Sequence, residues 1–310
     1  MKTLHVSNAP HIHSGDTTQK IMLDVVIAML PASVAAVVIF GIQSLWIMLT
    51  CVASAVIAEL LFNLACGKKS TIHDCSAVVT GLLLALNLST KVPLWQCVIG
   101  SVFAIVVVKG FFGGIGKNIV NPAIAARVLM LLTFGAVGGG ANPIIQGENV
   151  LVSGATPLEG LNQGQESATL LQLLLGTHGG AIGETCAIAL LLGFIYLVVR
   201  KVIKWYVPAA FVGTVFVCYF VFTGNVTLAL SHVLAGGLLL GAIFMATDYV
   251  TTPVTNLGRV VFCVGCGLIT FYVRQFGSYP EGVSISILVM NLLVPFIERF
   301  TAKKTLGGIK

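Results

Sequence analysis

Charged side chains are what this sequence has least of. Only 9% of its 310 residues are Asp, Glu, Lys or Arg, where a soluble domain carries roughly 25%. With 57% hydrophobic residues and a mean hydropathy of +0.99, the chain has more apolar surface than an ordinary core can hide. That excludes a soluble globular domain and leaves bilayer hydrocarbon as the fitting solvent. Basic residues outnumber acidic ones, 17 to 11, but they form no contiguous patch, so nucleic acid is not an expected partner. The eight cysteines lie mostly within apolar runs and read as small buried hydrophobes, not as a disulfide framework. No cleavable signal peptide is expected, because the first 20 residues are polar and no small-residue cleavage site follows the apolar run from Ile21. No nucleotide-binding glycine motif and no catalytic triad stands out.

What is present is a series of apolar runs. A helix needs about 20 apolar residues to cross the hydrocarbon, and runs at 21–40, 43–65, 94–112, 183–203, 206–223, 258–275 and 283–300 meet that need. Three further segments, 77–88, 122–136 and 232–246, are apolar but short or interrupted. Together they predict an all-α polytopic membrane protein with about ten transmembrane helices. Membrane lipid is therefore its surroundings. Threaded with the N-terminus inside, the cations collect in the cytoplasm, Lys109, Lys117, Arg200, Lys201 and Lys204 among them, and leave Lys91 and Arg274 outside. This is the asymmetry of the positive-inside rule. Residues 137–180 contain no Lys or Arg, so that long loop belongs outside. The chain thus divides into a cytoplasmic tail (1–20), a first repeat (21–136), the outer loop (137–180), a second repeat (181–300) and a cytoplasmic tail (301–310).

The two halves echo each other. GLLLALNLSTKVP (81–93) resembles GLLLGAIFMATDYVTTP (237–253), and each precedes a full span, a polar break (GKNIVNPA, 116–123; GSYPEGVS, 277–284) and an apolar helix. Five spans per half make the copies face opposite ways. Inverted repeats with broken helices at matching positions carry sites at the repeat interface, since the freed N–H and C=O groups need partners inside the bilayer.

In the outer loop, VSGATPLEG (152–160) is a turn in which Gly154 permits an unusual backbone angle, Pro157 stiffens the residues after it and Thr156 presents a hydroxyl. Read from the residues alone, it is an ordinary loop. Ser153-Gly154-Ala155-Thr156, however, resembles the acceptor motif of flavin transferases, which join the phosphate of FMN to a threonine hydroxyl. SNAPHIHSGDTTQKIMLDVVIAMLPA (7–32), GKNIVNPAIAARV (116–128), SGATPL (153–158), FMATDYVTTP (244–253) and YPEGVSISILVMN (279–291) with Pro295 run in family order over nearly the whole chain. They resemble the family of the D subunit of the Rnf complex and the related B subunit of the sodium-translocating NADH:quinone oxidoreductase. The length and short N-terminus are closer to the former. Such acceptors often carry Asp three residues before the serine; here Val150 stands there and Glu148 is the nearest acid.

The resemblance implies a subunit, incomplete as an enzyme alone, of an inner-membrane complex that couples ferredoxin:NAD+ electron transfer to Na+ or H+ translocation. It implies covalent FMN on Thr156, maturation by a flavin transferase, and the A, B, C, E and G subunits of Rnf as partners; a second, non-covalent flavin such as riboflavin is left open. Around the ring the candidates are Asn118, Asn121 and Arg127 at the first break and Thr247, Asp248 and Thr251 at the second. Arg127, inside a short apolar helix, should meet a phosphate, a carboxylate or water, or snorkel to the interface. Asp248 is expected to cap the helix after it. Cys263 and Cys266 form C-x-x-C within a span and read as packing residues. His11 and His13 lie on a polar tail; Glu59 and Asp24, near or within spans, could matter to ion movement, with interface anchoring or pairing the plainer account. The repeat alone also fits a channel or secondary transporter for a small solute, which would have no use for the SGAT loop.

Overall fold

The computed structural model describes residues 17–68, 71–134, 140–141, 153–154, 157–162, 169–277 and 282–302. His11, His13, Ala155 and Thr156 lie outside them. The chain is built from helices: α1 (Thr18–Phe40), α2 (Ile42–Ala65), α3 (Ser76–Leu86), α4 (Leu94–Gly110), α5 (Pro122–Phe134), α6 (Pro157–Asn162), α7 (Leu170–Leu175), α8 (Ala187–Val199), α9 (Tyr206–Thr223), α10 (Val226–Leu234), α11 (Leu238–Met245), α12 (Asn256–Phe276) and α13 (Val283–Thr301). The one strand pair among the described residues, β1 (Gly140–Ala141) and β2 (Ser153–Gly154), is antiparallel. Side-chain caps start several helices: Thr17 accepts from the Lys20 N–H, Asn225 from Thr227, and Thr255 from Gly258.

Among the described residues five helices, α1, α2, α9, α12 and α13, are long and apolar enough to cross a membrane, and α10 with α11 makes a sixth candidate bent by 66°. The shorter apolar helices α3, α4, α5 and α8 fill the space among them. The apolar run 183–203 is not one helix: residues 181–186 and 200–205 are turns on either side of a 13-residue α8. Apolarity alone does not make a helix, and here the polar Gly183-Glu184-Thr185 triplet is pulled into side-chain and backbone contacts elsewhere. The segment at 232–246 begins earlier, at Val226, and is broken at Ala235–Gly237. Close approach is built on small residues. A Cβ on Gly193 of α8 would run into the Ala28 carbonyl of α1, and the same helix pair is clamped by Arg200 and Tyr196, which both donate to Asp24 (3.1 and 2.8 Å).

The breaks lie within the height of the bundle, not at its ends. Contacts along α13 show this. Val283 at its start abuts Gly241, Asn291 meets Thr251 and Asn121, Glu298 accepts from the Val254 N–H at 3.0 Å, and Thr301 bonds Thr255 at 2.7 Å. At 1.5 Å per residue, Asn291 is about 12 Å from the start of a helix about 28 Å long. The non-helical stretch after α11 therefore runs beside the second half of α13. Backbone freed there must be satisfied by protein.

One break is repaired by a cation. Arg274, near the end of α12 and 1% exposed, donates to the carbonyls of His232 (2.6 Å) and Ala235 (3.2 Å), where α10 gives way to α11. The charge count assigned it only to the outer side; its side chain turns into the bundle. Lys109, counted toward the cytoplasmic side, is buried too, at 4% exposure. In both cases the long side chain folds back into the bundle because a polar partner waits there. Arg274→Met should lower the protein's stability in detergent by about 3–6 kcal/mol, since it removes two charge-assisted hydrogen bonds worth about 1.5–3 kcal/mol each. A thermal unfolding curve identical to that of the wild type would show that the carbonyls are satisfied otherwise.

Candidate functional site

Several helix ends converge on one small central cavity. Its wall includes Ile21 and Met22 of α1, Ser76 and Thr80 of α3, Lys109 of α4, Asn118, Asn121, and Thr247 and Asp248. Asn118 and Asn121 of GKNIVNPA thus share one cavity with Thr247 and Asp248 of ATDYVTTP. Asn121 caps α5, its Oδ1 accepting from the N–H groups of Ala123 (3.1 Å) and Ile124 (3.4 Å). Asn291 ties the breaks together. With its amide turned to suit its neighbours, it donates to the Thr251 carbonyl at 3.0 Å and accepts from the Asn121 N–H at 3.1 Å. Thr251 reaches the site through this bond and through Asp248 Oδ2, to which its hydroxyl donates at 3.0 Å. Asp248 does not cap α12, whose cap is Thr255. It closes a turn instead, accepting from the Val250 N–H at 3.3 Å.

The cavity holds about 90 Å³, well below the roughly 300–1,000 Å³ of pockets for organic ligands. It suits water or a small ion. The residues around it do not, in this geometry, fit the three-ring isoalloxazine.

Arg127 does not line that cavity. It turns instead to a buried carboxylate, one of the partners expected for it, although the sequence did not single out which. Its guanidinium lies 3.1 Å from Glu184 Oε1, both side chains buried, and it donates to Asn87 Oδ1. Asn87, just past α3, donates in turn to the Leu83 carbonyl (2.6 Å) and faces Met245 of α11. Beside it the loop before α8 pairs with the end of α3, the N–H groups of Ile182 and Gly183 donating to the carbonyls of Leu88 (2.9 Å) and Leu86 (2.7 Å). Gly237 completes the corner, since a Cβ there would stand 2.5 Å from Glu184 Oε1. One ion pair thus joins α5, the end of α3, the loop before α8 and the α10–α11 break. Glu184 is hidden in an apolar run, far along the chain from its partner; only its being an acid inside that run could have flagged it.

The SGAT segment is described in part. Ser153 and Gly154 form β2 against Gly140 and Ala141. The helix that directly follows the candidate acceptor in sequence, α6, seats Leu158 and Leu161 in an apolar cluster with Leu173 of α7 and Ala235 beyond α10, with Leu228 and Leu234 packed against it. The capping box of Thr169 and Gln172 fixes the start of α7. This end of the molecule also holds Asn225 and the Arg274 network, while Lys204, Tyr206 and Asn256 bond one another at the opposite ends of α9 and α12. Among the loop's own groups, burial pushes the His178 imidazole below its ordinary range. Among the described residues no His, Cys, Asp and Glu cluster could hold a metal. Cys263 and Cys266 are free and buried, as packing requires.

A family model described as the NQR2, RnfD, RnfE family matches residues 5–307. Among curated proteins, the D subunit of the Na(+)-translocating ferredoxin:NAD(+) oxidoreductase complex of Acetobacterium woodii is 42% identical over 99% of this chain and 96% of its own length. The D subunit of the proton-translocating ferredoxin:NAD(+) oxidoreductase complex of Clostridium ljungdahlii is 37% identical, covering 97% of this chain and 96% of its own. The D subunit of an ion-translocating oxidoreductase complex of Stutzerimonas stutzeri is 34% identical, covering 94% and 92%.

The Arg127–Glu184 pair gives a direct test of the junction. Removing one partner strands a buried charge at a cost of about 3–5 kcal/mol, whereas replacing both by apolar residues of similar size is often neutral. Arg127→Met and Glu184→Leu should each destabilise strongly, and the double substitution should recover most of the loss. Additive losses in thermal unfolding would mean that the two side chains act independently.

Proposed function

The chain belongs to the NQR2, RnfD, RnfE family, and on that premise we propose that it carries electrons through a covalent FMN on Thr156, within a complex coupling ferredoxin:NAD+ electron transfer to Na+ or H+ translocation. Its relatives, named as D subunits of ion-translocating oxidoreductase complexes, match it end to end. It is accordingly a multi-pass membrane subunit of such a complex, with ferredoxin and NAD+ handled by partner subunits.

The observation that carries the flavin reading is the SGATPL segment (153–158), in the long loop without Lys or Arg. The threonine hydroxyl is the nucleophile a phosphoester needs, and a flavin transferase would make the bond. Flavin supplies one- and two-electron redox chemistry when bound. The chain's own part is to hold the attachment segment still: β2 on one side of it in sequence is paired, and α6 on the other is packed onto α10. Ser153, Gly154 and Ala155 serve as the transferase's recognition sequence.

We further infer two inverted five-helix halves, with the N- and C-termini in the cytoplasm and the flavin loop outside. The helix contacts support this pairing: α2 packs on α3 and α4 much as α9 packs on α10 and α12, and α5 meets α13 between the halves. The clustering of Lys204 and its partners at the end opposite α6 supports the orientation. A second reading, a channel or secondary transporter for a small solute, draws on the ion-sized cavity at the two breaks. A transporter alone has no use for the SGAT segment.

Thr156→Val keeps the shape and removes the nucleophile. The variant should insert and assemble, yet lose all flavin fluorescence on a denaturing gel. Fluorescence persisting on this chain would place the flavin elsewhere.

A further inference from the structure

At the end of the molecule opposite α6, the segments after α8 and α11 and the starts of α9 and α12 enclose a small basic pocket of about 130 Å³. Three cations, Lys201, Lys204 and Arg259, line it together with Val207, Tyr249 and Thr252, and no acid does. The carboxylates of the neighbouring segments are engaged elsewhere. Asp24 holds Arg200, Asp248 accepts from Thr251 and the Val250 N–H, and Glu298 accepts from the Val254 N–H. Among the described residues no ion pair neutralises Lys201, Lys204 or Arg259. Lys204 donates to Asn256 Oδ1 at 2.7 Å, which uses one of its three ammonium hydrogens. Arg259 donates from Nε to the Pro253 carbonyl at 3.0 Å, a bond that orients the guanidinium and leaves its two terminal nitrogens without a protein acceptor among the described residues.

The backbone adds a second observation. α8 ends in a Schellman turn, the N–H of Val202 donating to the Leu197 carbonyl (2.9 Å) and that of Lys201 to the Val198 carbonyl (3.0 Å). Lys201 takes the left-handed position of that turn, with φ 58°, where glycine is the unstrained residue. The turn by itself favours glycine, and strain of this kind points to a role for the side chain that bears it. α9 and α12 both begin at this end, so the positive ends of two long helices add to the field. Around the mouth stand the exposed apolar side chains of Trp205, Val254 and Leu257, and tryptophan is enriched where membrane meets water. Positive charge is thus set at the rim of a lipid-facing surface.

We propose that this pocket binds an anionic phospholipid, its phosphodiester held by Lys201, Lys204 and Arg259 and its acyl chains laid along Trp205, Val254 and Leu257. The site needs only that the chain crosses a bilayer, and it stands apart from the flavin reading. Basic pockets between transmembrane helices take such headgroups. Arg259 offers a planar fork to two phosphate oxygens, and the two ammonium groups act as point charges. The pocket is far smaller than those for whole organic ligands, so only a small group such as a phosphate with its glycerol enters. An acidic segment of a partner subunit would meet the same charges, but it would have to bury its backbone polar groups against the apolar rim, which hydrocarbon covers without cost. Val202, Ile203, Thr247 and Tyr249 line this pocket and the central cavity alike. The lipid therefore braces one wall of that cavity.

The test titrates the purified whole complex, washed free of lipid in detergent, with dioleoylphosphatidylglycerol, and counts lipid adducts by native mass spectrometry. The wild type should gain one tightly held lipid. A variant combining Lys201→Gln, Lys204→Gln and Arg259→Gln should take that lipid only at about a hundredfold higher concentration, each cation contributing about fivefold. Dioleoylphosphatidylcholine, with the same chains on a zwitterionic headgroup, should bind the two proteins alike. Lys201→Gly separates recognition from folding. It relieves the strained turn, so the complex should melt no lower than the wild type, yet bind the anionic lipid about fivefold more weakly. Equal binding of dioleoylphosphatidylglycerol by the wild type and the triple variant overturns the site, and so does wild-type affinity in Lys201→Gly. The proposal also falls if the wild type shows no headgroup preference while the triple variant sheds another subunit, the result expected of a docking surface for an acidic partner.

Discussion

Backbone that leaves the helix inside a membrane must find its hydrogen bonds within the protein, and most of this structure answers that demand. Arg274 takes the carbonyls left over where α10 ends. The loop before α8 gives its N–H groups to the end of α3. Asn291 serves the first break and the second with one amide. The last of these is the most informative, because Asn121 and Thr251 belong to different halves of the chain. The same polar groups that repair the breaks also bring them together around one cavity, so the irregular backbone is both the cost of the architecture and the source of its chemistry.

Charge is used as sparingly as the composition suggests, and it is used in pairs. Asp24 holds Arg200 at an end of α1, Glu184 holds Arg127 at the junction of the halves, and Glu59 holds Lys109 between two cavities. These pairs are not equivalent. Arg200 is half exposed, so its bond is screened and contributes little. The other two are buried, where desolvation offsets most of the Coulombic gain and an apolar pair would serve as well for stability. Arg127 and Glu184 still have a structural account, since Asn87 and the adjoining loop complete a network across four segments. Glu59 and Lys109 likewise gather Thr71 and Ser76 into a network where α2, α3 and α4 meet.

The parts legible in the sequence are those written in local composition. Long apolar runs mark α1, α2, α9, α12 and α13, and polar or Pro-containing interruptions such as NLSTKVP and ATDYVTTP mark the breaks. Motif order reveals the family. The hidden parts depend on distant partners. Glu184 reads as a blemish in an apolar run until Arg127 is placed beside it. Arg274 reads only as a charge near the end of an apolar run, because the carbonyls that draw it inward come from another helix. Lys109 faces α2 only because α4 widens into a π-helix, which hydropathy does not register. The small helices α6 and α7 also escape notice, being too short to show a period. Asp248 reads as a helix cap, but the chain travels on beside α13 until Thr255 takes that role.

Everything proposed about electron transfer depends on one bond, between the Thr156 oxygen and the phosphate of FMN. Intact-mass measurement of this subunit, denatured and separated from a purified, electron-transferring complex, tests it most directly. The mass should exceed that of the sequence by one FMN less one water, and the increment should remain on the peptide spanning residues 153–158. A subunit from that active complex at its bare sequence mass of 32.5 kDa would contradict the account.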